Sequence, residues 1–224
     1  WQYVLRDHDI RRNPHFAPPD PRNQVVTPAN PPVYSAAKPE KRFHSFEQTG
    51  RFTSACSAMI YRDDLLFPRS DDTPARQHAF TCEPFSNLVQ HNIIIDDGVS
   101  FRFERDPAEA QLDFFASEDR WCRPVMVRTG PDGALWIVDM YRYMIEHPQW
   151  LPQNGKDELL PHYREGDDKG RIWRVVKSSH LAPRDGSREQ SDALGRAAVD
   201  GMNTKSDMRR LPLAEREGYI CESG

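Results

Sequence analysis

Five side chains able to do chemistry fall within one short passage: Asp139, Tyr141, Arg142, Glu146 and His147. They directly follow an apolar run, so an acid, a phenol, a guanidinium and an imidazole would gather where a strand ends. Loops at one end of a set of strands are where ligands bind, which makes these five a candidate substrate or ligand site. His147 beside Glu146 could serve as a general base, although neighbours in a helical stretch do not face one another. The same residues also read as a structural knot, in which Asp139 pairs with Arg142 or Arg171 and caps the segment after it. His91, His147 and His162 have no regular ligand spacing, so no metal site is expected. Cysteines at 56, 82, 122 and 221 fit no CxxC, CxxCH or zinc-ribbon spacing, which argues against structural zinc and c-type haem.

The elements that would position this cluster are strands. TGPDG (129–133) supplies a preset φ, a capping carboxylate and a left-handed position, the chemistry of a tight turn. ALWIV (134–138) follows as a strand apolar on both faces, expected to be buried between layers. RPVMVR (123–128) and GRIWRVV (170–176) flank it as partners, with residues 140–169 inserted. MYRYMIEH (140–147) is read as two helical turns ahead of Pro148. An earlier group has the same texture: SACSAMIY (54–61), HAFTCE (78–83), NLVQHNIII (87–95) and VSFRFE (99–104). In the last, Val99, Phe101 and Phe103 alternate with polar residues, and Asp96-Asp97-Gly98 before it reads as a hairpin loop.

Two successive four-stranded units, the second incomplete, suggest radial repetition and hence a β-propeller. Cys56 and Cys82 would lie on neighbouring strands of the first unit. A disulfide there would close a loop of about 27 residues and stabilise by roughly 3.5 kcal/mol; two buried thiols are the alternative. Trp121, Trp136, Trp150 and Trp173 suit packing between blades, or else a sugar platform.

Composition narrows the rest. Net charge is −4 from 30 bases and 34 acids with no block of either sign, so no nucleic-acid surface is expected. No apolar run approaches the length of a membrane span. Eight prolines between 11 and 40 predict an extended, turn-rich wrap. Residues 184–224 read as tail or linker, with a short helix possible over 192–199. The opening Trp1, with no Met or signal peptide, suggests a processed chain or a piece of a longer one. The expected organisation is an extended segment (1–50), blades (51–183, as 51–105 and 121–177) and a tail (184–224).

Several passages together resemble a known family: YVLRDHDIRRNPH (3–15), GRFTSAC (50–56), IYRDDLL (60–66), CEPFSNLVQ (82–90), RPVMVRTGPDGALWIVDMYRYMIEHPQW (123–150) and DKGRIWRVV (168–176). They are similar to the membrane-bound dehydrogenase-like propeller proteins of planctomycetes, themselves related to soluble quinoprotein glucose/sorbosone dehydrogenases. The resemblance implies an all-β fold: about two blades of a partial six-bladed propeller, with long loops and a short irregular or helical C-terminal tail. It implies a fragment of an exported, periplasmic-type oxidoreductase acting on sugar or polyol hydroxyls, completed by the rest of the propeller and inactive alone. The cofactor implied for the full-length protein is pyrroloquinoline quinone with Ca²⁺. Relatives place an arginine against the quinone at the position of Arg123, and Thr53 holds the matching place on the preceding inner strand. The lysine of the relatives is replaced within Pro84–Asn87 (PFSN), a departure that weakens the implied quinone site, and their histidine base lies in blades outside this chain. No CxxCH haem motif is present. An exported protein is also where a Cys56–Cys82 disulfide would form. The alternative is a non-catalytic propeller module that binds carbohydrate or a protein partner.

Overall fold

A computed structural model of the chain describes residues 2–4, 6–15, 22–24, 26, 30–37, 50–69, 76–98, 100–177 and 219–223. Its architecture is all-β, built of antiparallel sheets with few helices. Short strands β1 (Gln2–Val4) and β2 (Arg22–Gln24) pair with each other, and α1 (Asp7–Arg11) lies between them in sequence.

The first large sheet runs β3 (Cys56–Tyr61), β4 (Gln77–Glu83), β5 (Leu88–Asp97) and β6 (Ser100–Glu104) as a meander. Asp97 pairs with Ser100, so the expected Asp-Asp-Gly hairpin is tighter than its sequence suggests: both aspartates belong to β5. Gly98 takes the positive φ that such a short connection needs, and Val99 lies outside the described residues. The fourth strand is broken. β6 pairs with Ile93–Asp97, whereas the two-residue β7 (Phe115–Ala116) pairs with Leu88 and Val89 further along the same edge of β5. The chain between them loops out through a 3-10 turn at Pro107–Glu109.

The second sheet contains β8 (Pro124–Thr129), β9 (Leu135–Asp139), β10 (Arg171–Lys177) and β11 (Tyr219–Ser223). β11 lies in the stretch expected to be tail. It pairs with β10 from Trp173↔Ser223 to Lys177↔Tyr219 and gives this sheet its fourth strand. The helix expected over 192–199 lies outside the described residues.

The two sheets pack face to face around one core. Tyr61, Phe80, Cys82, Val89, Phe114 and Phe115 from the first side meet Val127, Leu135, Ile137 and Val175 from the second. Leu135 and Ile137 are fully buried, but Trp136 and Val138 are only half-buried, so β9 is covered on one face rather than on both. Its outer face carries Met126 and Ile172 as register partners of Val138, exposed at 43% and 42%. On the other side of the first sheet, Val33 packs against Leu88 and Ala116, so part of the proline-rich segment wraps that sheet.

The segment 140–147 is not helical. Met140 N–H donates to Arg123 O (2.9 Å) and Arg142 N–H to Trp121 O (3.0 Å). Bonds that would run back along a helix are thus made sideways, and Tyr141 takes φ 55°, which breaks helical geometry outright. The helix of the insert lies later, as α2 (Gln153–Leu159).

Candidate functional site

Asp139 is the last residue of β9, and its position follows from strand alternation: it shares the buried face of Leu135 and Ile137. A carboxylate there must find partners inside the protein. Its Oδ1 accepts from the backbone N–H groups of Arg123 (2.6 Å) and Tyr141 (2.9 Å). Its Oδ2 accepts from Arg171 Nε (2.6 Å) and the Trp173 indole (3.1 Å). Arg171 also bonds Asp119 (2.7 Å), and its guanidinium lies over the rings of Tyr141 (4.3 Å) and Trp173 (4.5 Å). Burial works against the Arg171 charge, but Asp139, Cys122 and Asp119 together outweigh it and hold the arginine pKa above its ordinary value. Burial, with Asp139 behind it, pushes the neighbouring Cys122 thiol well up. Of the two pairings weighed for Asp139, the structure has Arg171.

Arg123 is completely buried. Its Nε donates to Arg142 O (2.9 Å), Nη1 to Pro84 O (3.0 Å) and Nη2 to Tyr143 O (2.7 Å). The guanidinium therefore stitches the 84–85 turn of the first sheet to the insert of the second. Thr53 is exposed; its N–H donates to Glu83 Oε2 (2.9 Å) and its hydroxyl to Arg51 O (3.2 Å). Glu83 itself is buried, and burial raises its pKa against the pull of backbone N–H groups of Ser54, Thr53, Phe85 and Ser86. Both residues set aside for a cofactor, Arg123 and Thr53, thus make hydrogen bonds within the chain.

The remaining expected residues do not join one site. Arg142 turns to Asp167 (3.5 Å) and Lys169 O (3.5 Å). Glu146 Oε2 accepts from Ile145 N–H (3.1 Å). His147 is exposed and caps the Pro148–Trp150 turn, its Nδ1 accepting from Gln149 N–H (3.3 Å). Cys56 and Cys82 are register partners and carry free thiols.

A second polar system carries no signal in the sequence. His78 Nδ1 lies 2.8 Å from His91 Nε2, and His91 Nδ1 lies 2.9 Å from Glu109 Oε1. All three residues are buried, and Phe67 stacks on His78 at 3.7 Å. Burial, then His91, depress the His78 pKa to about 4. Glu109 Oε2 has no hydrogen-bond partner among the described residues. The break between β6 and β7 delivers Glu109, and also Asp113, which pairs with Arg105 (2.9 Å). His78 pairs with Ile93, so His91 is its diagonal neighbour on the same face. Only the register of the 83–88 turn could have revealed that contact.

Among the described residues no group of three or more His, Cys, Asp or Glu side chains could hold a metal ion. No helix is long and apolar enough to cross a membrane. Neither the curated proteins nor the solved structures contain a match to this chain. One family model matches residues 1–179, and the chain accordingly belongs to the family described as a domain of unknown function, DUF7133.

Proposed function

We propose that this chain is a non-catalytic portion of an exported β-propeller, about two blades, whose inserted segment recognises carbohydrate. The propeller reading is supported by two four-strand meanders packed face to face, the relation that adjacent blades adopt. Export rests on the family resemblance alone. The observation that carries the non-catalytic reading is the occupancy of Arg123 and Asp139. A guanidinium whose three nitrogens all donate to backbone carbonyls keeps no fork for a cofactor carboxylate. Carbohydrate is favoured as ligand by Trp150, 70% exposed on the insert, with His147 5.4 Å from its ring. An open indole face suits the apolar face of a sugar ring.

Titration with soluble oligosaccharides, followed by tryptophan fluorescence, tests the reading. Saturable quenching that Trp150→Ala abolishes is expected. Addition of pyrroloquinoline quinone with Ca²⁺ is expected to give no saturable quinone spectrum. Such a spectrum would instead restore the dehydrogenase reading, with oxidation of sugar or polyol hydroxyls as the activity.

A further inference from the structure

We propose that Cys56 and Cys82 form a redox-active dithiol, which a low-molecular-weight disulfide converts to a cross-strand disulfide, with Cys56 attacking and Cys82 resolving. The register sets the geometry. The two residues face each other directly across β3 and β4, beside a bulge that lies between Cys56 and Met59. Facing residues of antiparallel strands stand about 4.5–5.5 Å apart at Cα, within the roughly 4.4–6.8 Å that a disulfide spans. Cys122 lies in the same core, but among the described residues it has no such facing partner, and its thiol is engaged by Asp139 and Arg171.

Access and acidity agree on the order of attack. Cys56 is half-buried, whereas Cys82 and Cys122 are fully buried, so a reagent in water meets Cys56 first. A hydrogen bond from Cys82 favours the Cys56 thiolate, outweighing its burial and the nearby Glu83 charge. The same bond, with burial, holds the Cys82 proton in place. A thiol made more acidic beside a partner that keeps its proton is the arrangement that thiol–disulfide exchange uses.

The exchange balances with glutathione disulfide as oxidant. The Cys56 thiolate attacks one sulfur, the glutathione S–S bond breaks, and one glutathione thiolate leaves with the bonding electrons. Cys82 then gives up its proton and attacks Cys56 Sγ in the mixed disulfide, releasing the second glutathione thiolate. Two protein thiols are oxidised, one disulfide is reduced to two glutathione thiols, and these take up the protons that the cysteines lose.

Oxidation would act where the two sheets are fastened. Cys56 Sγ–H donates to Val125 O (3.5 Å), and the next residue, Ser57, held at φ 51°, accepts through Oγ from Val127 N–H (3.0 Å) and Arg128 Nη1 (3.0 Å). A disulfide removes the first of these ties and leaves the Ser57 pair.

Equilibration of the 224-residue chain with glutathione disulfide, then alkylation and peptide mass mapping, tests the proposal. The expected result is the loss of two alkylatable thiols, recovered with reductant, and one cross-linked peptide joining Cys56 to Cys82. Cys82→Ser should accumulate a glutathione adduct on Cys56, while Cys122→Ser and Cys221→Ser should bridge as the unsubstituted chain does. Near-ultraviolet circular dichroism confirms that each variant is folded. A Cys82–Cys122 link, a glutathione adduct that persists on Cys56 in the unsubstituted chain, or thiols that stay unreacted would each overturn it.

Discussion

The two buried polar systems of this molecule differ in how completely they are satisfied. At the end of β9, Asp139 meets four donors, and Arg171 meets two carboxylates and two aromatic faces. Inside the first sheet, the carboxylate of Glu109 bonds one histidine through one oxygen, and its other oxygen has no partner among the described residues. The first system is a fastening: it joins β8, β9, β10 and the insert at a single carboxylate. The second is a short polar chain, with Phe67 stacked on its His78 end. A buried network is rigid when every member is bonded and responsive when one is not. Asp139, one of the five candidate site residues, is thus bonded at both oxygens, whereas Glu109, outside that set, is bonded at one.

Removal of Asp139 is the largest way to break this contrast. Asp139→Ala leaves the half-buried Arg171 with Asp119 as its one remaining carboxylate and takes the acceptor from two backbone N–H groups. A loss of about 3–5 kcal/mol in urea unfolding is expected. An effect under about 1 kcal/mol would place Asp139 among ordinary surface-type positions.

Acid should reach the other system first. His78 has a folded-state pKa of about 4, below the ordinary histidine value, so the folded state holds it neutral. The unfolded chain binds that proton as pH falls through about 6.5. Its contribution is therefore a penalty that is absent above about pH 6.5, grows as pH falls, and is complete below about pH 4. A loss of about 2 kcal/mol across this window is expected. In His78→Gln the slope of unfolding free energy against pH should flatten between 6.5 and 4. An unchanged slope would mean that another group titrates there.

Much of the fold was legible because strands announce themselves locally. Alternation at Phe101 and Phe103, and turn chemistry at Pro131-Asp132-Gly133, depend on a handful of adjacent residues. Asp132 caps its turn as its type suggests, accepting from Ala134 N–H (3.2 Å). β11 was not legible, because YICES joins β10 across a long intervening stretch and carries no signal of its own partner. The insert departs from its sequence pattern for a related reason. The apolar spacing in MYRYMIEH permits a helix, but bonds to Trp121 and Arg123 hold the segment out of helical geometry. Pairing of Cys56 with Cys82 could be anticipated from strand order alone. Contact between His78, His91 and Glu109 could not, since it needs the register of one hairpin and the break in the outer strand together.

A double-mutant cycle on Asp139 and Arg171, read by urea unfolding, tests the central claim most directly. If the end of β9 is a closed fastening, each alanine substitution removes the same interaction. The double variant should then be little less stable than the worse single one, with a coupling of about 2–3 kcal/mol. Additive losses, with coupling near zero, would mean that the two side chains act separately and that Asp139 is held for some other purpose.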